Sequence, residues 1–355
     1  MSQRVLICGA QLPFEVGGAE LLAESLRDEI AKRGHEVDLV RLPLAWPTTR
    51  EGLLQSCLAW RLVDLTAPGG RPVDRVIATK FPSYLVRHPR KVVWLVHQLR
   101  QVYDLLGGDH SDYRPERDPE DAALVAAIRE IDRRTLGEAR AIYTISGNTR
   151  DRLQRFNDLP AKALYPPPAL DTRLRAGAYG DTVFTVGRLD ALKRFDLLIR
   201  ALARTKEPVR CVIGGRGPQR DALAALAARL GVADRVELPG WLADERMIEL
   251  YAGALAVFYA PLDEDYGLVT VEAFRARRPV VTCADSGGVL EFVRDGENGY
   301  VCAPPSSSGA IDDLAERLDR LYRDRALAER LGAAGAETVR DISWDRVVAA
   351  LLDDA

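Results

Sequence analysis

Several things are scarce in this sequence, and each scarcity closes off a class of protein. The five cysteines, Cys8, Cys57, Cys211, Cys283 and Cys302, form no close pair, so neither a zinc motif nor a disulfide framework is indicated, and a reducing cytoplasm suits the chain. Long apolar runs are missing. The longest, Tyr251 to Pro261, is far too short to cross a bilayer. The opening Met1-Ser-Gln-Arg4, followed by Val5-Leu-Ile-Cys8, reads as a first strand and lacks the apolar core of a signal peptide. Excess positive charge is missing as well, and a net charge of −3 argues against a general nucleic-acid binder. The loop after the first strand does not have the G-x-G-x-x-G spacing of a dinucleotide site, and no P-loop sequence occurs. Lysine is rare: only six of the 49 basic residues are lysine.

What the sequence does contain is a twice-repeated alternation of strand and helix patterns, which implies parallel sheets covered by helices on both faces. Its 355 residues exceed the length at which single cores usually split. In the first half, residues 4–8, 37–40, 73–78, 92–96, 141–145 and 163–165 read as strands, with helices over 19–33 and 119–136. The prolines of Tyr165-Pro-Pro-Pro168 exclude helix and mark a stiff connection, after which the pattern restarts. Strands are expected at 181–186, 209–213, 236–238, 255–260 and 280–282. Helices are expected at 195–204, 219–230, 245–251, 268–275, 312–322 and 326–337. The expected division is a first Rossmann-like domain over 1–167, a second over 168–340, and a last amphipathic helix within 341–355 packing back on the first.

In open α/β sheets, ligands bind beyond the carboxyl ends of the strands, so the strand-end loops are the places to look for function. The first loop carries the pair Gly17-Gly18, which permits close backbone approach to a ligand but also suits a plain tight turn. In the second half the corresponding loop is Gly187-Arg-Leu-Asp-Ala-Leu-Lys-Arg194, with Arg188 and Lys193 beside a helix start. A helix dipole disfavours cations there unless an anion lies between them, although solvated loop charges remain an alternative. Gly215-x-Gly217-Pro218 brings flexible backbone to the next strand end, and Trp241 follows the one after. The richest stretch is Asp263-Glu-Asp-Tyr-Gly-Leu-Val-Thr-Val-Glu272. It sets Glu264 and Glu272 eight apart around a glycine-led helix start, where free N–H groups and the positive helix end suit phosphate. From spacing alone, an acidic loop and an ordinary helical glutamate remain an equal reading.

Taken together, these residues resemble the retaining GT-B glycosyltransferases of glycosyltransferase family 4. The resemblance rests on Gly187-Arg188 with Lys193, on Gly215-x-Gly217-Pro218, on Glu264-x7-Glu272, and on Ser286-Gly-Gly-Val-Leu-Glu291 with Asp295-Gly-x-x-Gly299. It covers nearly the whole chain and is strongest from Val183 to Val301. It implies an α/β fold of two Rossmann-like domains facing each other across a deep cleft. The implied activity is transfer of a sugar, with retention of configuration, from a nucleotide diphosphate sugar such as a UDP- or GDP-sugar to a hydroxyl of a glycan, lipid-linked or small-molecule acceptor. By this resemblance Arg188 and Lys193 hold the diphosphate, Glu272 holds the ribose, and Glu264 lies near the transferred sugar. Gly17, Gly18, Gly187, Gly215, Gly217, Trp241, Gly267, Leu268 and Val269 complete the donor site. His97, at the end of a strand, matches a histidine that faces the donor sugar. Ser146 matches a frequent family serine, though it also reads as the N-cap of a helix over 150–156. Tyr103-Asp104, on an expected helix after His97, would border the acceptor. No metal or other cofactor is implied.

A glycosidase would also use two carboxylates. On one continuous helix, however, an eight-residue spacing separates them by about 12 Å along the axis, beyond the roughly 5 to 9.5 Å of hydrolases. A glycosidase also has no use for a diphosphate grip. A sugar-nucleotide epimerase or hydrolase of the same fold, and a non-catalytic nucleotide-sugar binder, remain alternatives. Basic clusters at Arg87-His-Pro-Arg-Lys91 and Arg150-Asp-Arg-Leu-Gln-Arg155 suit either solvated faces or peripheral contact with the inner face of a membrane.

Overall fold

The computed structural model describes residues 2–14, 17–44 and 48–353. Glu15 and Val16, within the first glycine loop, lie outside the described residues. The chain forms two compact units: Met1–Pro166 with Ser343–Ala355, and Pro167–Ile342.

The first unit runs β1 (Arg4–Gln11), α1 (Gly18–Lys32), β2 (Glu36–Pro43), α2 (Arg50–Leu62), β3 (Arg75–Lys80), β4 (Lys91–His97), α3 (Pro119–Gly137), β5 (Ala141–Thr144), α4 (Gly147–Asn157) and β6 (Lys162–Ala163). The strands pair in parallel in the order β2-β1-β3-β4-β5-β6. The run Val92–Leu95 in β4 is fully buried, as expected for a central parallel strand covered on both faces. The α2 helix is absent from the sequence expectations, yet its buried face, Leu53, Cys57 and Trp60, repeats at i, i+4 and i+7 as a core-facing helix should. The segment after His97, expected to be helical, is one 3₁₀ turn at Arg100–Val102 followed by turns.

The second unit runs β7 (Thr182–Val186), α5 (Phe195–Leu202), β8 (Arg210–Gly214), α6 (Arg220–Arg229), β9 (Val236–Gly240), α7 (Asp244–Gly253), β10 (Ala256–Phe258), α8 (Leu268–Arg275), β11 (Val280–Cys283), β12 (Gly299–Cys302), α9 (Ala310–Arg323) and α10 (Arg325–Thr338). Its parallel strands lie in the order β12-β11-β10-β7-β8-β9. The short strand β12 is a second addition to the expected elements. It is entered through a tight turn in which Gly296 N–H donates to the Gly299 carbonyl and the Asp295 carboxylate accepts from Val301 N–H at 3.0 Å. A Cβ on Gly299 would stand 2.2 Å from the Val280 carbonyl oxygen, so the Asp-Gly-x-x-Gly motif has a structural explanation here.

The last helix, α11 (Trp344–Leu352), belongs to the first unit. Trp344 stacks edge-on against Trp94 at 6.3 Å, and Gln3 and Arg75 donate to the carbonyls of Leu352 and Leu351. Among the described residues, no helix is long and apolar enough to cross a membrane.

Candidate functional site

Strand order in the second sheet reverses beside β7. From β7 the chain moves outward through β8 and β9, then returns to lay β10, β11 and β12 on the other side. The crevice at such a reversal is the usual ligand position in an open α/β sheet. Here it falls between the loop after β7, which carries Arg188 and Lys193, and the loop after β10, which carries Glu264.

The strand ends around it are level. Val186, Gly214 and Gly240 are register partners across β7, β8 and β9, so Gly187, Gly215 and Trp241 leave the sheet side by side. Backbone bonds tie these loops together: Gly187 N–H donates to Gly214, Leu189 N–H to Arg216, and Gly215 N–H to Gly240. The approach is tight enough that a Cβ on Gly215, whose φ is +125°, would fall 1.9 Å from the Gly187 carbonyl oxygen. The backbone is thus close-set at this crest while Trp241 stands 67% exposed beside it.

The charged groups divide into two kinds. Arg188 is exposed, and its Nε reaches the Asp190 carboxylate at 2.8 Å. Asp190 in turn accepts from Lys193 N–H, capping the short turn Ala191–Lys193. Lys193 points inward, with Nζ 2.5 Å from Glu264 Oε2 and 3.1 Å from the Tyr259 hydroxyl. The Lys193 and Glu264 side chains are each about one-fifth exposed, at 19% and 20%. Burial lowers the Lys193 ammonium, but Glu264 and Tyr259 outweigh it and hold the group above its ordinary value, so it stays charged. Burial, then Glu264, raises the Tyr259 phenol above its ordinary value, so it keeps its proton.

Arg194 fixes the distance between these loops. Its guanidinium donates to the carbonyls of Ala260 and Pro261 and forms a two-point ion pair with Asp285 at 2.7 and 2.8 Å. Leu262 N–H adds a bond to the Leu192 carbonyl. The Lys193 turn and the Glu264 loop are therefore bolted to one another and to the end of β11. Sequence reading leaves Arg194 and Tyr259 without roles, and the signal for both was adjacency: one follows Lys193, the other ends the run that leads to Glu264.

Glu264 and Glu272 do not form a couple. Glu264 sits in the loop, its backbone bridged to Gly287, and a Cβ on Gly288 would meet the Asp265 carbonyl at 2.6 Å. Glu272 lies one turn into α8, where its Oε2 accepts from the Tyr251 hydroxyl at 2.6 Å. Each glutamate thus has its own partner, Lys193 for Glu264 and Tyr251 for Glu272. Between them Gly267, at φ +91°, turns the chain into α8 and sets Leu268 and Val269 at its first positions, where backbone N–H groups lack in-helix partners.

The remaining candidates lie in the first unit. Gly17 and Gly18 are exposed at the start of α1, but Gly17 N–H already donates to Glu20 Oε2 at 2.9 Å. Burial raises the Glu20 carboxyl, and Lys80 and the Gly17 N–H outweigh that to hold it below its ordinary value. His97 ends β4 as register partner of Lys80, with Nδ1 2.9 Å from the Gln98 carbonyl oxygen. That oxygen only accepts, so Nδ1 is the protonated nitrogen.

Tyr103 differs from the expectation, whereas Ser146 takes the N-cap role that the sequence also offered. Tyr103 is only 3% exposed, and its hydroxyl donates to the fully buried Asp132 at 2.8 Å and accepts from Asn157. It is a core residue here and not part of a face open to an acceptor. Asp104 pairs with Arg100 and Arg152. Ser146 is fully buried and caps α4, accepting from Thr149 N–H at 3.0 Å, so its cap role is the one the geometry displays.

Two parallel Rossmann-like sheets, with the candidate residues gathered at strand ends, define a GT-B protein. Residues 177–338, within the second unit, match the family described as Glycosyl transferases group 1. Among curated proteins, the chain is similar to a D-inositol 3-phosphate glycosyltransferase of Nocardia farcinica, with 33% identity over 251 residues, 64% of this chain and 52% of that protein. It resembles a protein of the same description from Acidothermus cellulolyticus at 33% over 250 residues, 65% of this chain and 54% of that one. The matches span about half the length of these relatives. Solved structures of the same fold include a sucrose-phosphate synthase from Thermosynechococcus elongatus, with TM-score 0.74, 18% identity and 98% and 97% of the two chains covered. Anabaena Alr3699/HepE in complex with UDP and glucose superposes with TM-score 0.68 and 18% identity over 98% and 99% of the chains.

Proposed function

We propose that the chain transfers a sugar from a nucleotide diphosphate sugar to an acceptor hydroxyl, with the second unit holding the donor and the first the acceptor. The observation that carries this reading is the Lys193–Glu264–Tyr259 cluster at the strand-order reversal, flanked by the exposed Arg188. In it, Arg188, Lys193 and the first N–H groups of α8 receive the diphosphate. The sugar lies toward Glu264, and Trp241 borders the nucleotide base.

The chemical step breaks the bond between the anomeric carbon and the diphosphate oxygen and forms one from that carbon to the acceptor oxygen on the same face. The acceptor proton passes to the departing diphosphate, and bonding on the same face retains configuration. The protein's main contribution is to stabilise negative charge growing on the leaving group, using cations already held in place by Asp190, Glu264 and Tyr259. The curated relatives' description supports a small phosphorylated cyclitol as the first acceptor to try.

The test is turnover of labelled UDP- and GDP-sugars by the full chain, with and without acceptor. Lys193→Ala and Arg188→Ala should each lower transfer by about 10²–10³-fold. Near-normal transfer by both variants contradicts the assignment. Release of free or rearranged sugar at full rate without acceptor would instead identify a hydrolase or epimerase.

A further inference from the structure

Tyr251, near the end of α7, takes no part in the proposed transfer, yet its hydroxyl donates to Glu272 Oε2. We propose that Tyr251 is a positioning residue that fixes the Glu272 carboxylate as a two-hydroxyl acceptor, making the site select ribonucleotides over their 2′-deoxy counterparts. The inference deepens the donor reading and rests on it.

Packing fixes the ring first. Tyr251 is 0% exposed, and its ring meets Phe184 of β7 edge-on, with centroids 4.8 Å apart at 88°. A ring held on its flank in this way can deliver its hydroxyl to one place, and that place is Glu272 Oε2 at 2.6 Å. Burial, then the Glu272 carboxylate, holds the phenol well above its ordinary value, so the hydroxyl keeps its proton and donates. Glu272 is the fifth residue of α8, and helical side chains lean back toward the N-terminus, here toward Gly267 and the phosphate-facing end.

The terminal torsion of a glutamate is broad, so an untethered carboxylate would sample many orientations. Tethering Oε2 arrests that rotation. It leaves Oε1 and the second lone pair of Oε2 as acceptors in a fixed plane, matched to two neighbouring hydroxyl donors such as those of a ribose. A nucleotide lacking one hydroxyl would leave a desolvated acceptor unfilled, the situation in which polar sites discriminate best. Without the tether the carboxylate can turn to satisfy itself, and the discrimination fades.

The experiment titrates UDP and 2′-deoxy-UDP, and the guanosine pair in parallel, calorimetrically into the full chain as wild type, Tyr251→Phe and Glu272→Gln. Wild type should prefer the ribonucleotide by about tenfold or more, and both variants should fall below about threefold. Each ratio is taken on one protein, so a general loss of fold lowers both affinities and leaves the ratio unmoved. Preference retained in Tyr251→Phe but lost in Glu272→Gln overturns the role of Tyr251 and keeps the donor reading. Preference retained in both variants, or absent from wild type, overturns the ribose assignment of Glu272 and the inference with it. Failure of every nucleotide to bind overturns the donor reading itself.

Discussion

The two units have the same architecture but use their polar residues differently. At the strand ends of the second unit, charges are paired, Lys193 with Glu264 and Arg194 with Asp285 across loops, and Arg188 with Asp190 within one. Each pair holds a cation or carboxylate at the crest in a defined place. In the first unit the comparable polar groups turn inward. Tyr103, Gln98 and Asn157 gather around the fully buried Asp132, and the Glu20 carboxylate takes up the Gly17 N–H. One crest carries charges paired at the strand ends, while the other turns much of its polarity toward its own backbone and core.

The glycine loops offer the sharpest way to break this contrast. Gly215→Ala forces a Cβ to 1.9 Å from a carbonyl oxygen at a φ of +125°, and should cost about 3 kcal/mol or more of stability. In Gly17→Ala the new Cβ meets only the end of the Glu20 side chain, at 3.2 Å and an ordinary negative φ, and should cost less than about 1 kcal/mol. Thermal unfolding of the two variants checks this, and equal losses would remove the distinction between a close-set and an open crest.

A smaller effect is expected from the buried acid of the first unit. Burial pushes the Asp132 carboxyl up to about 7, against an ordinary value near 4 for the unfolded chain. Between these values the folded state holds a proton that the unfolded state has released. Asp132 therefore contributes stability that is complete below about pH 4 and is lost as pH rises through about 7. Asp132→Asn, which cannot ionise but can still accept from Tyr103, should lose less in melting temperature between pH 5 and 8 than wild type. Parallel losses in the two proteins would show that Asp132 is ionised throughout.

Much of the second unit was legible in the sequence because its signals are local. The start and end of α8 at Leu268 and Arg275 agree with the periodicity, and the β7 and β8 ends agree to within a residue. What could not be read was pairing at long range. Nothing in the sequence ties Tyr251 to Glu272, 21 residues away, or Arg194 to Asp285, 91 away, because those contacts exist only once the sheet order is set. The same limit explains Tyr103. An aromatic followed by an acid just after a strand-end histidine suggests a surface, whereas burial of Asp132 on α3 draws the hydroxyl into the core. The α2 helix was missed although its apolar spacing is helical, and β12 because four residues with one glycine give too short a pattern.

The central claim is that the second unit's crest grips a nucleoside diphosphate through Lys193 and Arg188. Calorimetric titration of UDP and GDP into the full chain tests it, with Lys193→Ala and the exposed-site variant Arg188→Ala alongside. The account predicts saturable binding of at least one nucleotide by wild type, weakened about tenfold or more in each variant, as expected for loss of a charge-assisted contact. Binding of equal strength in wild type and both folded variants would contradict it.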